Sequence, residues 1–371
     1  MTINRVKIFS KVPFYAKASL IFIGLFAFIS MLYIGREIIL PVIFSTMIAI
    51  VLSPMVNFLV RKKINRVLAI IISLTAVSIV AISLIVLLSS QIAVFAESFP
   101  KLLNELQLML NRSTIWLSKN LNISTYKINK FIEDTKSGMI SGEQSSIGTT
   151  LATVGNTVLV MFLIPVYIFM ILFYQPLLLN FIRRLFGDDH QEKVNEILTS
   201  IKSIIQRYLV ALLIEAAIIA TLNSIGLLLI GIDYAILLGI IGALLNIIPY
   251  IGGVLAVSLP VMIAIATKSS HIYPLMVLAL YIVIQFIDNH YVIPKVVASK
   301  VKVNALMSII VVLGFGALWG IPGMFLSIPL TAIVKVIFDH VDSLKPWGLL
   351  LGDTMPAIAI FKIPNKKIKY K

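Results

Sequence analysis

Cysteine is absent from this 371-residue chain, which excludes a disulfide framework, thiolate catalysis and thiolate metal sites and leaves the compartment open. Charge is scarce as well. Only 13% of residues are Asp, Glu, Lys or Arg against 59% hydrophobic, so a water-soluble fold would have too little polar surface to cover itself. Acids are scarcer still, 16 against 31 basic residues, for a net charge of +15. That excess does not point to nucleic acid, because the basic residues sit beside apolar runs and not on an aromatic-laced basic face. Short basic loops flanking apolar runs are what orient membrane proteins. The four histidines (His190, His271, His290, His340) are scattered without ligand spacing, and HExxH and GxSxG are missing, so no metal, cofactor or hydrolase elbow is expected.

What the chain has in abundance is long apolar runs. Spans are expected at 18–34, 38–60, 67–88, 151–174, 208–230 and 274–293, each about the length that a hydrocarbon core of about 30 Å requires. The connector RKKINR carries four positive charges (Arg61, Lys62, Lys63, Arg66) and the tail KIPNKKIKYK five, which places the connector, the tail and the N-terminus in the cytoplasm. Between 91 and 150 hydrophobicity falls, and Phe95, Phe99, Leu102, Leu106, Met109 and Leu110 recur at helical spacing, as on an amphipathic helix. The chain therefore divides into N-terminal spans (1–90), an extracytoplasmic amphipathic segment (91–150), a span with a cytoplasmic helical connector lying beside the membrane (151–207), a transport core (208–338) and a basic cytoplasmic tail (339–371).

Two apolar runs, Tyr234 to Thr267 and Asn304 to Phe338, are too long for a single span. At about 1.5 Å per residue each would reach about 50 Å unbroken, while half of either is too short to cross. Both are interrupted near the middle by similar sequences, GALLNIIPYIGGVLAVSLP and GALWGIPGMFLSIP. Such a segment either crosses as a broken helix or dips in and turns back, and it exposes backbone groups that only protein or a watery cavity can satisfy. The loop between the runs holds Lys295, Lys300 and Lys302; re-entry of both runs keeps this loop inside, as the charge bias prefers. The two units then form inverted repeats, each a span plus a hairpin. The fold expected is an all-α polytopic membrane protein of about six transmembrane helices plus two broken or re-entrant hairpins.

Ionisable and amide groups inside spans are costly and so are functional candidates. These are Glu215 and Asn223 in the fifth span, Asn246 in the first broken run, and Gln285, Asp288 and Asn289 in the sixth span. Glu215 lies seven residues past Tyr208, roughly 10 Å deep by helical rise. Asp288 reads either as a pathway group or as an interfacial carboxylate meeting water or lysine, and Asn246 either as a site residue or as a helix cap. At the breaks, Pro249, Gly252 and Gly253, and likewise Gly320, Pro322 and Gly323, free carbonyls and half-helix ends that can hold a solute or ion.

The stretch YLVALLIEAAIIATLNSIGLLLIGIDYAILLGIIGALLNIIPYIGG, with QFIDNHYVIPK and LGFGALWGIPGMFLSIPLTAIVKVIF, resembles the AI-2E family of transporters. Asp288, Asn289 and Pro294 match that family's acidic-Asn and Pro-Lys/Arg pattern, whereas Gly253 stands where the family usually reads Pro. The resemblance implies an integral transporter. Members are linked to export of the quorum signal autoinducer-2, others to sodium or lithium/proton antiport. The expected function is export of a small polar solute or exchange of a monovalent cation for protons, by a homo-oligomer in a bacterial cytoplasmic membrane, in contact with lipid. The alternatives are a passive channel lined by the broken runs and an intramembrane hydrolase in which Asp288 and Glu215 meet.

Overall fold

The computed structural model describes residues 13–89, 163–187, 190–249, 252–268, 270, 272–297 and 303–353. The expected amphipathic segment at 91–150, the first part of the fourth span and the lysine-rich end of the tail lie outside the described residues. Every described element is helical. In chain order these are α1 (Phe14–Ile34), α2 (Arg36–Arg61), α3 (Arg66–Ser89), α4 (Leu163–Phe173), α5 (Gln175–Leu185), α6 (Gln191–Ile230), α7 (Ala235–Asn246), α8 (Gly252–Thr267), α9 (Ile272–Ile287), a π-helix (Asp288–Val297), α10 (Ala305–His340), a 3-10 turn (Asp342–Leu344) and α11 (Lys345–Leu351). Among the described residues six helices are long and apolar enough to cross a membrane, and α4 and α5 form a further pair bent by 64°. The protein is an all-α polytopic membrane protein.

Two of the apolar cores share α2. On one side Ala49, Leu52 and Val56 of α2 pack with Ala69 and Ile70 of α3 and with Ile168 and Leu172 of α4. Arg66 fixes that corner by donating to the Leu172 carbonyl at 2.7 Å and to Gln175 Oε1 at 3.1 Å. On the other side Met47 of α2 meets Ile205, Tyr208, Leu209 and Leu212 of α6 and Trp319 and Leu326 of α10. Gln206 ties the two by donating to the Ile50 carbonyl at 2.6 Å. No residue of α1 is buried, as suits a helix whose neighbour is largely lipid.

One expectation about the connector is corrected. The stretch ending at Arg207 is not a separate surface helix from Gln191 onward; it runs without interruption into the fifth span as the 40-residue α6. Nothing between Gln191 and Gly226 breaks a helix, since Pro is absent there and so is Gly. Only the part before it, α5, turns away, with Pro at its first turn and Arg183 and Arg184 at its last.

Both interrupted runs fold back on themselves. In the first, Gly242 of α7 lies beside Ala256 of α8, and Ala235 and Leu238 at the far end share a core with Ile263 and Ala264, so the two arms are antiparallel. In the second, helical dihedrals fail only at Gly320 (φ 66°, ψ −148°), a region of backbone space that is nearly exclusive to glycine. There Gly316 abuts the Met324 side chain and Gly323 abuts the Phe315 carbonyl, pairs eight residues apart that a straight helix would separate by about 12 Å. The sixth span also departs from a plain helix. From Asp288 to Val297 it widens to the π form around Pro294, which lacks an N–H and whose ring would strike the carbonyl four residues back in an α-helix.

Past His340 the chain stays with the bundle. Asn304 caps α10 by accepting from Met307 N at 2.9 Å, and its amide donates to the carbonyls of Leu350 and Gly352 at 2.7 and 2.9 Å.

Candidate functional site

Along α6 the residues Tyr208, Leu212, Glu215, Ile219 and Asn223 follow helical spacing and are all buried. Along the sixth span Tyr281, Gln285 and Asp288 stand at positions i, i+4 and i+7, with Tyr281 and Asp288 buried and Gln285 half-buried. The first hairpin lies between these faces, so three elements bring one polar row each to a common space. That space is a cavity of 780 Å³ whose wall includes Tyr208, Glu215, Asn246, Tyr281, Gln285 and Asp288. Pro249, Gly253 and Asn289 also face it, and Ser308 and Ile328 close it from α10.

Asp288 is the centre of the arrangement. Its residue surface is 1% exposed. Its Oδ2 accepts from Asn246 Nδ2 at 2.8 Å. Asn246 is the last residue of α7; its amide thus joins the hairpin tip to the sixth span and caps no helix. Gln285 stands beside the same tip, because a Cβ at Gly253 would lie 2.6 Å from Gln285 Oε1. The family's usual proline at Gly253 would push Gln285 aside.

Behind the cavity a narrow recess is lined by Asn223, Gly242, Asn246, Tyr281, Gln285 and Asp288. Asn223 Oδ1, the Tyr281 hydroxyl and Asp288 Oδ1 are buried there without a hydrogen-bond partner among the described residues. Asn223 spends its amide on the Gly239 carbonyl at 3.5 Å. Buried polar atoms are nearly always satisfied, and three unpaired oxygens around one recess are what a proton, a cation or a polar solute would use.

Glu215, 5% exposed, lines the same main cavity as Asp288. Neither carboxylate has a cationic partner among the described residues. The absence matters because a lone buried charge is expensive and is relieved by a proton, a cation or a ligand.

The expected site residues thus separate into two groups. Glu215, Asn223, Asn246, Pro249, Gly253, Gln285, Asp288 and Asn289 line the cavity or its recess, and Gly252 lies at the same tip against the Leu245 carbonyl. Pro294 sits exposed in the π-helix. Gly320, Pro322 and Gly323 lie apart from the cavity wall. The tip of their hairpin packs instead on α1 and α2, where Trp319 Nε1 donates to the Leu32 carbonyl at 3.0 Å and Phe325 stacks on Phe44 with centroids 5.8 Å apart. Sequence reasoning passed over Tyr208, Tyr281 and Ser308. The two tyrosines were findable by helical spacing from Glu215, Gln285 and Asp288; Ser308 reaches the cavity only through the fold.

Polytopic helices, hairpins broken by Gly and Pro, and a buried polar cavity between them define a membrane transporter core. The family profile described as AI-2E family transporter matches residues 20–343, and the chain belongs to that family. It is 24% identical over 334 residues to the putative transport protein YueF of Bacillus subtilis, covering 88% of each chain. It is 25% identical over 320 residues to the AI-2 transport protein TqsA of Escherichia coli, covering 86% of this chain and 90% of that one. The putative transport protein YhhT of Escherichia coli is 22% identical over 331 residues, 88% and 91% of the two chains. Family and relatives alike indicate a transporter and not an enzyme.

Proposed function

We propose that the protein is a secondary transporter that exports a small polar solute or exchanges a monovalent cation for protons. Autoinducer-2 is the first solute to test, since one relative is named for its transport. The observation that carries this reading is the pair of buried carboxylates, Glu215 and Asp288, on one cavity with no cationic partner among the described residues. When Asp288 takes a proton or cation, its charge is neutralised and its bond to Asn246 weakens, because hydrogen bonds to ionised acceptors are the stronger ones. The first hairpin tip is then free to move, which couples occupancy to access. In this reading the two hairpins enter from opposite sides as inverted repeats, in a bacterial cytoplasmic membrane with both termini inside.

Reconstituted flux under imposed proton and sodium gradients, with autoinducer-2 and a panel of small polar solutes, tests the function. Accumulation against a solute gradient is the expected result, whereas flux that only dissipates the solute's own gradient marks a channel. Orientation is tested separately. A Ser299→Cys variant of this cysteine-free chain should react with an impermeant thiol reagent from the cytoplasmic side alone; reaction from outside replaces the paired re-entrant topology with two full crossings.

A further inference from the structure

A second cavity lies on the opposite side of the same turn of α6. While Tyr208 and Glu215 look into the transport cavity, Arg207, Val210 and Ile214 line a separate space of 470 Å³, shared with Lys295 and Val296 of the π-helix. The two cations come from different elements and face one opening. Neither forms an ion pair among the described residues, and no acidic residue lines the space. Arg207 is the last charged residue before the apolar stretch of α6, a position from which a guanidinium reaches the headgroup layer when the helix spans a membrane. Below it Val210 (43% exposed) and Ile214 (47%) form an apolar wall.

Two unpaired cations over an apolar wall, at headgroup depth, complement a molecule with an anionic head and a hydrocarbon tail. Basic pockets between transmembrane helices are where such headgroups bind. A free phosphate would use the cations and leave the wall unfilled; a zwitterionic lipid would bring its own ammonium against them. We infer that this cavity binds an anionic phospholipid, its phosphate between Arg207 and Lys295 and an acyl chain along Val210 and Ile214.

The lipid would bridge α6 and the end of the π-helix that begins at Asp288. The π-helix also contributes Asn289 and Ile293 to the transport cavity, so a headgroup at Lys295 holds a wall of the pathway in place from outside. The site does not depend on which solute is carried.

The test uses the full chain in mixed phosphatidylglycerol and phosphatidylcholine nanodiscs, with lipid retention read by native mass spectrometry. The parent should retain phosphatidylglycerol in preference to phosphatidylcholine, and Arg207→Gln with Lys295→Gln should lower that retention by about tenfold, each surface cation contributing several-fold. Lys62→Gln with Lys63→Gln removes the same charge from the α2–α3 connector and should leave it unchanged. Equal loss in both double variants, or no preference in the parent, overturns the assignment. Inorganic phosphate that protects the detergent-solubilised parent against heat as well as phosphatidylglycerol does would identify a free-anion site and overturn it too. Photoactivatable phosphatidylglycerol on the parent protein gives a readout independent of any variant: adducts are expected on 206–214 and 295–296, and adducts found only elsewhere refute the site.

Discussion

The two hairpins start from similar sequences and end with different jobs. Each turns where Gly and Pro interrupt an apolar run, and each brings a glycine against a carbonyl of the preceding arm, Gly252 on Leu245 and Gly323 on Phe315. The first leaves the α-helix after Asn246 and resumes it at Gly252, while in the second only Gly320 leaves helical dihedrals. When GALLN is laid on GALWG, Asn246 corresponds to Gly320. Asn246 carries an amide that reaches Asp288; the glycine carries nothing and supplies a sharp reversal. The first tip is therefore tied to the polar cavity, and the second is anchored by Trp319 and Phe325 to α1 and α2. A shared backbone break does not imply a shared chemical role.

The sharpest way to break this comparison is to remove charge from the polar cavity. Asp288→Asn should cut gradient-driven flux by about tenfold or more while folded yield holds, and flatten its pH profile, because an amide neither takes up nor releases a proton near neutral pH. Glu215→Gln should do the same less severely. If both variants keep parental rates and pH dependence, the carboxylates are not the coupling groups, and Asn246, Gln285 and the hairpin carbonyls become a neutral solute site.

Stability should respond next, and on both sides alike. Gly320→Ala forces a side chain into a nearly glycine-only conformation, which costs about 1–3 kcal/mol, and Gly252→Ala drives a Cβ into the Leu245 carbonyl. Both should lower the thermal midpoint in detergent, by similar amounts. A Gly320→Ala variant as stable as the parent would mean that the second run does not reverse there.

Smaller effects should divide the hairpins by function. Asn246→Ala, which removes the bond to Asp288, should reduce flux several-fold with little loss of stability. Trp319→Phe should cost about 1 kcal/mol of stability through its lost bond to the Leu32 carbonyl and leave the flux of the folded protein unchanged. The reverse pattern would exchange the roles assigned to the two tips.

The smallest effect belongs to the tail, outside either hairpin. A hydrogen bond from Lys345 and then the charges of Lys345 and Lys193 hold the Asp342 carboxyl below its ordinary value of 3.8. A carboxylate held low stabilises the fold above its unfolded value and loses that contribution as pH falls through the folded one. Asp342→Asn should accordingly leave the thermal midpoint nearly unchanged at neutral pH, as is usual for exposed ion pairs, and any difference from the parent should vanish in strong acid.

Much of this architecture was legible in the residue order because its causes are local. Hydropathy over about 20 residues marks a span whatever its neighbours are, and Pro and Gly mark Pro249, Gly252, Gly320 and Pro322 as breaks because they act on their own turn of backbone. The same local logic singled out Glu215, Asn223, Gln285 and Asp288 as polar groups that a span does not carry without reason. It read the stretch ending at Arg207, from its periodicity, as a helix lying beside the membrane, whereas continuous helix propensity carries α6 from Gln191 straight into the fifth span.

What the sequence by itself determined is the solvent, the spans and the places where helices break, since each follows from the free energy of a short segment in lipid. Only the tertiary structure decided which polar groups meet. The bond from Asn246 to Asp288 joins residues 42 apart, and the cavity gathers α6, the first hairpin, the sixth span and α10. No local propensity encodes such a meeting, because it depends on how whole helices pack and which face each turns inward. The same holds for the second tip, whose Gly and Pro read like the first until Trp319 and Phe325 are seen packed against other helices, away from the polar cavity.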